Sequence, residues 1–298
     1  MNRRLCIKIT VTALLAVLAW NVAVLAVRNH LVPGQDVPVL LFHETGAGEK
    51  DRFLSAEQFV WMMDYLKKNR FTVISISDYI DIMDKKKKMP PQPAVITFDD
   101  GTRSVYTVSF PALKDRGFGA TVFLASGFMG KTLYHTLEDR VYSRDQPEEG
   151  GKRVWKFEML TWGEIRDMEK GGFSFQSHSI DHAELKKMSH EELKEQFLGS
   201  KKAIESQTGR PVEYFSYPWG EFNDLAMKTL KECGYKAAFI SETEKPAFSG
   251  YRGDLYALGR YEISPFTKRI NFKLIVWGLM PLKEKFKHAF KRLAIAGH

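Results

Sequence analysis

The sequence predicts an α/β fold, a parallel sheet closed into a barrel, and three observations carry that expectation. Short β-like runs alternate with stretches of helical periodicity, which is the pattern of a parallel sheet covered by helices. About eight such units occur, and that number of parallel strands closes a barrel. The chain has 298 residues, 44% of them apolar, so one domain can bury a large core.

Taken in order, the first strand is expected over 37–42. Ser55-Ala-Glu-Gln58 has the form of a capping box, in which the cap side chain and the third helical residue satisfy each other's backbone donors. A helix therefore starts there, with Phe59, Met63 and Leu66 on its buried face. A strand over 71–76 follows, and Lys85-Lys-Lys-Lys88 before Met89-Pro-Pro91 reads as a solvated helix exit. Strands over 94–98 and 119–125 come next. Residues 130–157 are charged, lack clear periodicity and are too long for an ordinary βα connection, so a loop on the rim of a site is expected. Thr161-Trp-Gly-Glu164 and Ser189-His-Glu-Glu192 are further capping boxes on either side of a strand over 173–177. Leu193, Phe197, Ala203 and Ile204 mark the inner face of the second of these helices. Strands over 214–217, 236–240 and 258–263 complete the set. Cys233, beside the helix-ending Gly234, reads as a small buried apolar residue, and with only Cys6 besides it no disulfide is expected.

Both ends have a character of their own. Residues 9–27 form an apolar run behind a basic tip of Arg3, Arg4 and Lys8, and about 19 residues suffice to span a bilayer. Residues 1–30 are therefore expected as a signal-anchor whose tip stays cytoplasmic, or as a cleaved signal peptide ending near Val24-Leu-Ala26. Either way the body, residues 31–265, is expected outside the cytoplasmic membrane, anchored or secreted. In the C-terminal segment, 266–298, the apolar Leu282, Phe286, Ala289, Phe290 and Leu293 recur at helical spacing among lysines. That basic amphipathic helix either docks on the barrel or lies on a membrane surface.

Formal charge is +8, which would suit nucleic acid, but its distribution argues against that partner. The tip carries +3 and the stretch from Lys268 onward +7, leaving −2 for residues 9–267 between them.

The chemistry gathers at two places. Asp99 and Asp100 end an apolar strand, and an unpaired buried carboxylate loses several kcal/mol of hydration, so something must use them. Downstream, His178-Ser-Ile-Asp-His182 offers two imidazoles at i, i+4. One carboxylate and two imidazoles are normal ligands for a divalent cation, and one carboxylate is left over. Each motif alone is weak, since His-x-x-x-His can be structural and Asp-Asp-Gly is an ordinary turn. Their joint occurrence shifts the balance.

Thr97-Phe-Asp-Asp-Gly101 and His178-Ser-x-x-His182 resemble the first two motifs of the polysaccharide deacetylases, the NodB-like domain of carbohydrate esterase family four. Phe215-Ser-Tyr-Pro-Trp-Gly220 is similar to the third, and order and separations agree. The resemblance runs from about 37 to about 263. It implies a distorted (β/α)7 barrel, of seven rather than eight regular units, with the chemistry at the carboxyl ends of the strands. It implies Asp99 as general base, Asp100, His178 and His182 as ligands of a divalent metal, most simply Zn²⁺ with Co²⁺, Ni²⁺ or Fe²⁺ also suited, and Pro218, Trp219 and Gly220 shaping the site. The Trp219 backbone N–H would stabilise an oxyanion, while the Trp219 and Trp162 rings pack or stack on a sugar. A lone His ending a strand is ordinarily structural. Pro38-Val-Leu-Leu-Phe-His43, however, resembles the family's last motif moved to the start, an order similar to that of the permuted poly-β-1,6-N-acetylglucosamine deacetylases, and this makes His43 the expected general acid. His30, His135 and His190 are expected on the surface.

One departure stands out. Many family members carry an Arg two residues before the motif's Pro, where it orients the base; this chain has Ser216, which supplies neither charge nor a fork of donors. Arg260, on another strand, is the candidate to replace it. The resemblance thus implies a metal-dependent N-deacetylase acting on an extracellular acetylated polysaccharide of the poly-β-1,6-N-acetylglucosamine kind. Peptidoglycan deacetylation, O-acetyl esterase action on xylan and a catalytically silent polysaccharide-binding module are the alternatives, the last disfavoured by the intact Asp and His set.

Overall fold

A computed structural model of the chain describes residues 37–46, 53–136, 154–242 and 254–279. The segment expected at 1–30 lies outside these, as do residues 280–298 of the one expected at 266–298, its amphipathic run included. Among the described residues no helix is long and apolar enough to cross a membrane.

Seven parallel strands close a ring: β1 (Val39–Phe42), β3 (Pro93–Phe98), β4 (Thr121–Leu124), β7 (Ser174–Ser177), β8 (Tyr214–Ser216), β9 (Ala237–Glu242) and β10 (Leu258–Glu262), with β10 and β3 both paired to β1. The eighth run expected from sequence, around 71–76, is not a stave. Only Thr72–Val73 (β2) pairs, with Pro93 and Ala94 at the start of β3. Thr72 is exposed, whereas a barrel stave is buried on both faces. The seven-unit ring agrees with what the resemblance implied and corrects the count of eight.

Strand residues alternate between two apolar layers, as the period of two requires. Leu40, Phe42, Ile96 and Phe98 face the helices, and Phe59 of helix α1 (Ala56–Lys68) packs its ring against Phe42 and Phe98 at 5.2 and 5.9 Å. Val39, Val95, Phe123, Phe239 and Leu258 form a second cluster with Ile76, Tyr79 and Ile80 of helix α2 (Ile76–Met83), so α2 closes the interior at the amino-terminal end. A π-helical stretch, Val105–Ser109, leads into α3 (Phe110–Lys114). Among the described residues the remaining α-helices are α4 (Trp162–Lys170), α5 (His190–Thr208), α6 (Asp224–Glu232) and α7 (Arg269–Val276). In α7, Phe272 packs on Trp61 and Tyr65 of α1.

The capping boxes at Ser55, Thr161 and Ser189 all form, each with both reciprocal bonds. At the first, Gln58 N donates to Ser55 Oγ and Ser55 N to Gln58 Oε1, both at 3.1 Å. Ser55→Ala is expected to cost about 1 kcal/mol, read as a lower urea midpoint at unchanged denaturant slope.

The 130–157 stretch is not the unpatterned loop expected. Its two ends, β5 (Thr132–Thr136) and β6 (Val154–Glu158), pair as an antiparallel hairpin with Thr132 opposite Glu158, and 137–153 lie outside the described residues. Val154-Trp-Lys-Phe-Glu158 alternates buried Trp155 and Phe157 with exposed Lys156 and Glu158. That period-two signal is in the sequence; the charged residues between the strands obscured it.

Strand register levels the carboxyl ends. Asp99 N donates to Phe42 O, His178 N to Leu124 O and Tyr217 N to Phe239 O, at 2.9–3.0 Å. Each residue that follows a strand end thus starts a turn at the same mouth: His43, Asp99, His178 and Tyr217, the last leading into Pro218.

Candidate active site

Two backbone devices turn the acidic pair inward. Asp100 takes φ +68°, a conformation costly for a residue with a Cβ. Gly101 follows at φ +84°, and a Cβ there would stand 2.7 Å from the Leu124 side chain. The chain thus turns back on itself, with Gly101 N donating to Asp99 O at 2.8 Å. After β7 the same strategy recurs: Ser179 (φ +67°) and His182 (φ +56°) are left-handed, and His182 N donates to Ser179 Oγ at 3.0 Å. Gln196 of α5 pins the loop by accepting from Ile180 N at 2.9 Å.

The result brings Asp100, His178 and His182 together, with one potential ligand atom from each within 4.8 Å of the others. Nε2 of His178 and of His182 lie 3.5 and 3.4 Å from Asp100 Oδ1, and all three residues are buried. The donor set fits a divalent cation on a further count. His178 Nδ1 lies 2.8 Å from the Ser216 carbonyl, which can only accept, so Nδ1 carries the proton and the Nε2 lone pair faces the cluster, the usual arrangement behind a ligating imidazole. Electrostatics agree. Burial, helped by the neighbouring His178 and His43, pushes His182 down to about 4 against the pull of Asp100, which keeps it neutral near pH 7, as a ligand must be. Burial opposes ionisation of Asp100 too, yet the surrounding imidazoles hold its carboxyl far below the usual carboxylate range. For His178 burial is outweighed by Asp99 and Asp100, and its pKa is raised; a proton and a cation would compete for that nitrogen.

Asp99 does not join this cluster. It faces the barrel axis, where Arg260 grips it with a fork: Nη1 donates to Oδ1 at 2.8 Å and Nη2 to Oδ2 at 2.6 Å. Ser216 Oγ also donates to Oδ2, at 2.9 Å, and accepts from Arg260 Nη2 at 2.7 Å. Arg260 further donates to Thr97 Oγ1 and the Ile240 carbonyl, both at 3.3 Å, and the Phe123 and Phe239 rings flank its guanidinium at 5.3 and 6.0 Å. Carboxylate and guanidinium are each 2% exposed as residues. Burial raises the Asp99 pKa, but Arg260 first, then His178, more than offset it, and the carboxyl is held below its ordinary value. Ser216 and Arg260 thus occupy one network: the hydroxyl completes a shell whose charge comes from another strand.

Pro218–Gly220 forms a tight turn at the mouth. Trp219 sits at φ +56°, and a Cβ on Gly220 would meet the backbone of Ser241 at 2.8 Å, so glycine is required there. The Trp219 ring packs edge-on against His182, with centroids 4.2 Å apart. Trp162 is partly buried against the core. His190 is half-buried and pairs with Glu232 at 2.8 Å.

His43 and Asp100 line one cavity of about 240 Å³, together with Glu44, Phe157 of the hairpin and Ser264. Glu44 was missed from sequence; the available signal was its place directly after His43 at a strand end. Burial, against the hydroxyls of Thr102 and Ser104 and reinforced by the charge of Asp100, pushes its carboxyl up to about 7.

Fold and site together define a barrel hydrolase whose mouth can hold one divalent cation beside an ionised carboxylate. The profile of the family described as polysaccharide deacetylase matches residues 86–238, just over half of the chain, and the chain belongs to that family of deacetylating hydrolases. It is 26% identical over 229 residues to YxkH of Bacillus subtilis, covering 77% of this chain and 72% of that one. It is 24% identical over 203 residues to the poly-beta-1,6-N-acetyl-D-glucosamine N-deacetylase of Staphylococcus aureus, covering 68% of this chain and 66% of that one. Among solved structures, the Streptococcus pyogenes deacetylase PplD, in complex with acetate, superposes with a TM-score of 0.67 at 19% identity, over 80% of this chain and 97% of that one.

Proposed function

We propose that the protein removes N-acetyl groups from a β-1,6-linked N-acetylglucosamine polymer. The observation that carries this reading is the meeting at one barrel mouth of the Arg260-held Asp99, the Asp100, His178 and His182 cluster, and His43 delivered from the first strand. His43 preceding the acidic pair is the order that the sequence shares with the permuted poly-β-1,6-N-acetylglucosamine deacetylases, and similarity to the staphylococcal enzyme supports the substrate class.

In this reading Asp99 takes a proton from water as it adds to the acetamido carbonyl carbon. The Trp219 backbone N–H donates to the developing oxyanion. His43 gives its proton to the nitrogen as the C–N bond breaks, releasing acetate and a free amine. A divalent cation held by Asp100, His178 and His182 would add Lewis-acid polarisation and make water more acidic near neutral pH.

Treatment with a chelator is expected to abolish turnover, and Zn²⁺ or another divalent ion to restore it, followed as acetate release with metal content measured in parallel. Activity that survives complete metal removal contradicts the reading. The apolar run at 9–27 further suggests that the barrel faces the outside of the cytoplasmic membrane; protease protection of the full chain in spheroplasts would argue against that placement.

A further inference from the structure

Glu44 stands between two cavities, and neither the barrel nor the cation cluster accounts for it. On one side is the cavity that holds His43 and Asp100, about 240 Å³. On the other is a larger one of about 430 Å³, walled by Arg103, Thr107, Lys156 and Glu158. The carboxyl lies beside the hydroxyls of Thr102 and Ser104, which work against the effect of its burial; these hydroxyls bond each other at 3.0 Å, and Ser104 Oγ accepts from Thr45 N at 3.2 Å. Its other oxygen, Oε2, is buried yet meets no hydrogen-bond partner among the described residues. A buried acceptor without a donor costs about 1–3 kcal/mol, so a carboxyl oxygen in this position, on the wall of the cavity that holds His43, is pre-set for a donor that arrives from outside.

We propose that Glu44 is a substrate-positioning residue: its Oε2 accepts a hydrogen bond from a hydroxyl or amide N–H of the sugar lodged beside His43, and the second cavity receives the neighbouring sugar of the chain. This rests on the deacetylase reading and adds which group recognises the polymer. Saccharides are dense in hydroxyl donors, and a carboxyl oxygen accepts from them in either protonation state. The polar wall of the second cavity suits the same chemistry. A purely structural Glu44, with water on Oε2, would lack substrate dependence.

The test compares wild type, Glu44→Ala and Glu44→Gln as full chains, on N-acetylglucosamine monomer, β-1,6 oligomers and oligomers that each lack one free hydroxyl. Glu44→Ala is expected to lower kcat/KM on oligomers by about 10–100-fold, the cost of leaving one buried hydrogen-bonding group unsatisfied, with metal content unchanged. Glu44→Gln, which keeps an acceptor, is expected to recover much of it. One deoxy oligomer should be discriminated by wild type and not by Glu44→Ala, the non-additivity that marks direct contact. Unchanged kcat/KM, or the same discrimination of every deoxy oligomer by wild type and Glu44→Ala, overturns the proposal. Calorimetric binding of the same oligomers reads the contact independently of turnover. Weaker binding by Glu44→Ala sustains the inference even if the deacetylase reading fails, and equal Kd values overturn it even if that reading holds.

Discussion

Asp99→Asn is expected to lower kcat by about 10²–10⁴-fold, the range for loss of a positioned general base, while the protein still takes up one divalent ion per chain. The separation follows from geometry: Asp99 faces Arg260 and Ser216, whereas the ion would sit on Asp100, His178 and His182. The two neighbours in sequence thus have separate duties because Asp99 directly follows strand β3 and Asp100 after it is left-handed. The substitution also leaves a buried guanidinium without its counter-charge, so kcat must be taken on the folded fraction and metal content by direct analysis. A variant that loses its ion together with its activity would show instead that Asp99 is a ligand.

Arg260→Met carries the second large effect. Breaking a buried ion pair by removing one partner costs about 3–5 kcal/mol, and here both partners are almost fully buried. With the guanidinium gone, the burial that opposes ionisation of Asp99 meets less favourable charge, and its pKa rises. The sign is fixed: a depressed carboxyl pKa stabilises the fold above the ordinary carboxylate range, and that contribution is lost as pH falls through the folded value. In Arg260→Met the acid limb of kcat/KM therefore moves to higher pH and the acid unfolding transition follows it. An unchanged pH profile would remove Arg260 as the residue that keeps the base ionised and aimed. Adding Asp99→Leu to Arg260→Met is expected to return part of the stability, because an apolar pair avoids the buried unpaired charge.

Much of this was legible because it is local. Apolar runs, capping boxes at Ser55, Thr161 and Ser189, and the glycine after the acidic pair are each written in a few adjacent residues. The His178 and His182 spacing was legible too, although the two rings meet through a left-handed loop and not a helical turn. Less visible was anything set by register. Whether 71–76 becomes a stave depends on where β3 starts pairing, and Thr72, exposed, cannot be one. The hairpin at 130–157 carried its alternation only at its ends, in Leu133 and in Trp155 and Phe157. Arg260 could be nominated only because Ser216 stood where an Arg was expected; that the two share Asp99 depends on β8 and β10 flanking β9 in the ring. Glu44 gave only the weak signal of its place after His43, since a carboxylate after a strand is usually a solvated turn, and its setting depends on Thr102 and Ser104 from a distant part of the chain.

The central claim is that this mouth deacetylates N-acetylglucosamine in a polymer with the aid of a bound cation. The most direct measurement is acetate and free amine formed together from β-1,6 N-acetylglucosamine oligomers by the full chain, with β-1,4 oligomers, peptidoglycan and acetyl-xylan as comparisons. Equal amounts of acetate and amine from the β-1,6 oligomers, lost with chelator and regained with Zn²⁺, are the predicted result. Acetate without amine, acetate from xylan alone, or amine formation indifferent to metal would contradict it.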